Sequence, residues 1–218
     1  MSRKTLIILG AVVVLAAAGG AWYFLSDDGM QTVAAHAGGY EPLPTDHTMG
    51  DPNAKVVVVE YASPTCPVCA YFTINLFPKL KSGYIDTGKV FYVYRTFMRG
   101  PDDASAEKLA RCLPKGKYMS FTESLFRNQS KWDYEFGIPS PDGVHTALLA
   151  LAQQAGMSPA DSDRCLASTS DEAAINKVGE DAVAKYAVNA TPTFVVNGQA
   201  EAGFEDLFAR LDMASVGK

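Results

Sequence analysis

The chain has 218 residues, 48% of them hydrophobic, with 19 Lys and Arg against 24 Asp and Glu. That composition excludes a disordered chain, and the slight acidic excess argues against nucleic-acid binding, which a basic face normally serves. Four cysteines are too few for a disulfide-stapled mini-protein; they leave one or two disulfides, a metal site or redox chemistry open.

The N-terminal part differs from the rest. Arg3 and Lys4 precede an uncharged run from Thr5 to Ser26, which Asp27 and Asp28 close. As a helix this run would span about 33 Å, against a bilayer core of about 30 Å. Two readings stand for residues 1–26. A signal anchor would keep the span, with Trp22 and Tyr23 at its outer interface. A cleaved signal peptide would use a small-x-small site, Ala16-Ala17-Ala18 or the more distant Ala35-His36-Ala37. Under both, everything after Asp28 is exported. Residues 27–47, broken by Gly29, Gly38, Gly39, Pro42 and Pro44, read as a flexible tether.

Lys55–Ala62 (KVVVVEYA) is a continuous β-branched run and predicts a buried central strand. Ser63-Pro64-Thr65 ends it, and a helix starts near Cys66. Cys69, Phe72, Leu76 and Leu80 share one helical face, with Pro78 expected to kink the helix or end its first segment. Lys89–Phe97 predicts a second strand, parallel to the first across the helical crossover. From residue 102 to 187 the pattern is helical. Leu109, Cys112 and Leu113 mark one helix, Met119, Leu125 and Phe126 another, and Val144, Leu148, Leu151 and Ala152 a third. Ser158-Pro159 caps a fourth that contains Cys165, and Ile175, Val178, Ala182 and Tyr186 mark a fifth. Thr193–Val196 returns to strand, Asn197-Gly198 is a two-residue hairpin signal, and Phe204, Leu207, Phe208 and Leu211 stripe a final helix. The body is an α/β sheet with a helical insertion.

Cys66-Pro67-Val68-Cys69, after a buried strand and opening a helix, carries the chemistry. Free N–H groups and the positive end of the helix stabilise a thiolate on the first cysteine. A stabilised thiolate makes the corresponding disulfide a readier donor to other thiols. Cys66 is expected to be the exposed attacking sulfur and Cys69 the buried partner. No metal is expected: a structural zinc site wants four ligands from paired motifs, whereas Cys112 and Cys165 are not locally paired and His36, His47 and His145 follow no ligand spacing. His145 reads as a surface residue, and Arg95 is considered for the rim of the site.

The stretch MGDPNAKVVVVEYASPTCPVCAYF, then PKLKSGYIDTGKVFYVYRTF and the late ATPTFVVNG, resembles the DsbA-like branch of the thioredoxin superfamily from about Thr48 to the C-terminus. The resemblance implies a thioredoxin-like fold (48–101 and 188–218) with an inserted helical domain (102–187), and exported thiol:disulfide exchange without a bound cofactor. It implies Cys66 as nucleophile and Cys69 as partner. Pro192 would be the cis-proline facing them, leaving the backbone of Thr191 to pair with substrate. Glu60 would be a buried acid relaying the proton of Cys69, the alternative being a solvent-facing strand end. Well-known oxidases of the family carry Pro-His between the cysteines where this chain has Pro67-Val68, so the site is expected to be less oxidising. With Cys66–Cys69 local, Cys112 and Cys165 form the remaining disulfide, two buried free thiols being the alternative.

The expected partners are exported proteins with cysteine pairs and, from the resemblance, a DsbB-type quinone-linked membrane oxidase. The expected place is the periplasm, anchored to the inner membrane by residues 5–26 or soluble after cleavage, as a monomer. Rival readings are a disulfide isomerase or reductase kept reduced by a membrane donor, and a membrane-tethered holdase or copper-binding module.

Overall fold

The computed structural model describes residues 39–138 and 140–216. The expected membrane or signal segment at 1–26 and the first part of the tether lie outside these residues; among the described ones no helix is long and apolar enough to cross a membrane.

In chain order, β1 (His47–Met49) and β2 (Val56–Ala62) lead into α1 (Pro67–Asn75), α2 (Phe77–Leu80) and a π-turn at Lys81–Ile85, then β3 (Val90–Thr96). Next come α3 (Pro101–Cys112), α4 (Lys115–Arg127), the short α5 (Gln129–Trp132), α6 (Pro141–Gln154), α7 (Pro159–Leu166) and α8 (Thr169–Tyr186). The hairpin of β4 (Thr193–Val196) and β5 (Gln199–Ala202) precedes α9 (Leu207–Val216). The sheet runs β1-β3-β2-β4-β5, with β2 and β3 parallel and the other pairs antiparallel.

All seven residues of β2 are buried, because both faces of the sheet are covered. The two-residue period of the strand divides them. Val56, Val58 and Ala62 enter the core that holds Cys66, Cys69, Phe72 and most of the helical insertion. Val57, Val59 and Tyr61 enter a second core with Phe91, Val93, Val178, Ala182 and Val188. Glu60 has the parity of Val58 and Ala62, so it points to the cysteine side. Pro78 acts as expected: α1 stops at Asn75, Leu76 N–H closes on the Phe72 carbonyl, and a new turn starts with Pro78 in it.

The hairpin forms at Asn197-Gly198, both with positive φ (46° and 84°), as a two-residue turn requires. Ser158 caps α7 by accepting from Asp161 N–H. The Cys112–Cys165 disulfide is present and ties the end of α3 to α7.

Two expectations change. Residues 40–46 do not behave as tether. Tyr40 is buried against Phe91, and Asp46 takes Arg95 through Nε at 2.7 Å and Nη2 at 2.9 Å. Glycine and proline there signal irregular backbone, and irregular backbone still packs when a bidentate ion pair holds it. β1 then starts at His47 as an edge strand on β3. Likewise α8, expected within the insertion, packs Val178 and Ala182 onto the far face of the sheet.

Candidate active site

The site begins where β2 ends. Ser63-Pro64-Thr65 forms a turn closed by Cys66 N–H on the Ser63 carbonyl at 3.0 Å. Cys66 is extended (φ −81°, ψ 118°) because Pro67 follows it, and Pro67 occupies the first turn of α1, where its missing N–H does no harm. This geometry puts Cys66 at the N-cap of α1, next to the free N–H groups of the helix.

Across from it, the Thr191–Pro192 bond is cis. The Cys66 thiol donates to the Thr191 carbonyl oxygen at 3.2 Å. Cys66, Pro67, Val68, Phe97, Arg99 and residues 189–191 line a cleft around the sulfur. Cys66 itself is only 4% exposed. The expected exposed sulfur is therefore the floor of a cleft rather than a surface group, covered by the proline loop. Val68, at 48% exposed, forms the rim, and exposed Tyr71 stacks on Phe204 beside it.

The three titratable groups are displaced in acidity in opposite directions. The Cys66 thiol is lowered to about 5, foremost by the hydrogen bond from Cys69, then by the Thr191 side chain and the backbone N–H groups of Cys69 and Val68, against the opposing effect of burial. Cys69, fully buried, is pushed well above the ordinary thiol range by burial, by its bond to Cys66 and by the charges of Cys66 and Glu60. Glu60 is raised to about 8 by burial, although the Tyr92 hydroxyl donates to its Oε2 at 2.6 Å. Among the described residues its Oε1 has no hydrogen-bond partner. The solvent-facing alternative for Glu60 is thereby excluded. At neutral pH the arrangement holds a thiolate on Cys66, a thiol on Cys69 and a mostly neutral Glu60.

Arg95 is not at the rim. Its guanidinium lies on the far side of the sheet, bonded to Asp46, the Tyr61 hydroxyl and the Glu41 carbonyl. The arginine at the cleft is Arg99. His145 is exposed, as expected. Among the described residues no group of three or more His, Cys, Asp or Glu is arranged to hold a metal ion. Sequence reasoning did not pair Tyr92 with Glu60, and it passed over two residues of the insertion, Asp103 and Gln129. Gly100-Pro101-Asp102-Asp103 carries the acidic first turn of a helix start, which flags Asp103 as a cap but says nothing of its reach to residue 63.

A family model described as thioredoxin matches residues 43–209. A putative protein-disulfide oxidoreductase of Rickettsia bellii is 36% identical over 163 residues, covering 70% of this chain and 57% of the relative. The chain thus spans little more than half the length of the first curated relatives it matches. The disulfide bond formation protein D of Bacillus subtilis is 24% identical and covers 72% of this chain and 70% of its own. The crystal structure of alpha-DsbA1 from Wolbachia pipientis superposes with a TM-score of 0.71 at 28% identity, covering 80% of this chain and 92% of that one.

Proposed function

The chain belongs to the thioredoxin family, in its DsbA-like branch, and from that premise we propose that it is a thiol:disulfide oxidoreductase that donates the Cys66–Cys69 disulfide to exported proteins. The observation that carries the reading is the unequal pair: an acidic Cys66 thiol, lowered to about 5 at the start of α1, beside a buried Cys69 that holds its proton.

In the forward reaction a substrate thiolate attacks Cys66 Sγ. The Cys66–Cys69 bond breaks, a mixed disulfide forms on Cys66, and the electron pair leaves on Cys69. Glu60, protonated below about 8 and close enough for its charge to act on Cys69, is the buried acid that would supply the proton Cys69 takes. A second substrate thiolate then attacks the substrate sulfur of the mixed disulfide and releases Cys66 as a thiolate. Two substrate thiols are oxidised to a disulfide, and the Cys66–Cys69 pair is reduced. The Thr191 carbonyl, next to the cis Thr191–Pro192 bond, accepts from the reacting thiol, and the Thr191 backbone would pair with an extended substrate segment. Pro67 and Val68 shape the first turn and the rim.

A stable thiolate favours the reduced pair and so the oxidising direction. The reading places the body in the periplasm, with residues 5–26 as an inner-membrane anchor or a removed signal, and a DsbB-type quinone-linked oxidase as the source of new disulfides. The test is stoichiometric. The oxidised chain, mixed with a reduced peptide carrying two cysteines, is expected to yield one peptide disulfide per chain, and Cys66→Ser none. Failure of the oxidised chain to oxidise the peptide would overturn the reading. Trapping thiols in intact cells separates the rivals: a pair disulfide-bonded at rest fits the oxidase, and a reduced pair fits the isomerase or reductase.

A further inference from the structure

The turn that delivers Cys66 is held from outside the sheet. Asp103, in the first turn of α3, is completely buried. Its carboxylate accepts from Ser63 Oγ at 2.8 and 3.0 Å, from Thr65 N–H at 2.8 Å and from Arg99 N–H at 2.7 Å. Gly100 N–H adds a longer bond of 3.3 Å. Gln129, at the start of α5 and 5% exposed, donates Nε2 to the Pro64 carbonyl at 2.8 Å. Each of the three residues between β2 and Cys66 is therefore bonded by a side chain of the helical insertion.

We propose that Asp103 and Gln129 are positioning residues that clamp Ser63–Thr65 and so fix where the Cys66 and Cys69 sulfurs sit at the start of α1. The groups that favour the Cys66 thiolate, first the Cys69 thiol, then Thr191 and the N–H groups of Cys69 and Val68, act only at short range. The position of Cys66 relative to them depends on two flanks; Pro67 restrains one and the clamped turn the other. Burial dominates the rise in the Cys69 thiol; the Ser63 backbone N–H partly offsets it, while the Ser63 hydroxyl donates to Asp103. A buried carboxylate is costly unless its oxygens are occupied, and here N–H and O–H donors surround it. An asparagine in its place would offer one acceptor and one donor, and would leave some of those donors facing an NH2 group.

The sign of the effect separates clamping from simple electrostatics. A negative charge near a thiol opposes its ionisation, so removing the Asp103 charge alone would make Cys66 more acidic. Loosening the turn does the reverse. The inference rests on Cys66 being the reactive sulfur, and its test reads that sulfur directly. In the full chain with the pair reduced, the thiolate absorbance near 240 nm and the rate of iodoacetamide alkylation are followed against pH. In Asp103→Asn the Cys66 midpoint is expected to rise by about one unit, with a roughly tenfold drop in thiolate below the midpoint. In Gln129→Leu, which changes no charge, the rise is smaller and in the same direction. Far-UV circular dichroism identifies folded variants, and Gln129→Leu decides the matter if Asp103→Asn does not fold. A merely structural role would lower the melting temperature and leave the midpoint in place. Folded variants with an unchanged or lower midpoint, beside an acidic wild type, would overturn the clamp alone; a wild type with no acidic thiol would overturn it together with the assignment of Cys66.

Discussion

Glu60 and Cys66 bear on Cys69 with opposite displacements of acidity, and each makes stability depend on pH in its own direction. Cys66 is lowered from the ordinary thiol value of 9.0 to about 5. The Cys66 contribution to the reduced protein's stability therefore grows as pH climbs from about 5 towards 9, stays complete above that, and is lost as pH falls through 5; the oxidised protein has no such contribution. Glu60 is raised from 4.5 to about 8, so the native state binds a proton that the unfolded chain has released, and stability declines as pH rises between those values. Glu60→Gln keeps an acceptor for Tyr92 and removes that decline. Denaturant unfolding at pH 8 is expected to show the variant more stable than wild type by at least about 1 kcal/mol, while its disulfide exchange loses the pH dependence centred near 8. Equal stability and an unchanged profile would remove Glu60 from the relay. Val68 offers a second residue test. It is half exposed at the rim, so Val68→His is expected to leave stability within about 0.5 kcal/mol. The imidazolium it adds beside the sulfur lowers the Cys66 midpoint below 5 and makes the pair more oxidising, which a thiolate titration reads directly.

At the scale of elements, α3 joins two functions. Its first turn carries Asp103 against the active-site turn, and its last residue, Cys112, is tied to Cys165 in α7. The bond closes a loop with a sequence separation of 53, which in the chain-entropy model stabilises the fold by about 4 kcal/mol. Replacing Cys112 and Cys165 by alanine together is expected to lower the unfolding free energy by up to that amount, as read by denaturant titration. Because neither sulfur touches the Cys66 cleft, the double variant should still oxidise a dithiol peptide. Loss of exchange in a folded double variant would contradict the division of the four cysteines into a reactive and a supporting pair.

At the scale of the whole molecule, what could be read in advance follows the range of the physics. The β2 run, the Cys-x-x-Cys at a helix start, the break at Pro78 and the Asn197-Gly198 turn are local, and each declares itself within about ten residues. Cys112–Cys165 and Pro192 needed the family resemblance or the even cysteine count. The unread parts depend on distant partners: Arg95 with Asp46 across 49 residues, Ser63 with Asp103 across 40, and Gln129 with Pro64 across 65. For the same reason Arg95 looked available to the cleft, and residues 40–46 looked like tether. The division of β2 between two cores was implicit in its parity, and that parity also aimed Glu60 at the cysteines. The contacts around the cleft bear on one proposed property, the preference of the Cys66–Cys69 pair for its reduced form. The equilibrium reduction potential of the pair, measured against glutathione at pH 7, tests that property most directly. A potential above about −200 mV, in the range of disulfide donors, is expected; a value near or below about −270 mV, in the range of thioredoxin-type reductants, would contradict the oxidase reading.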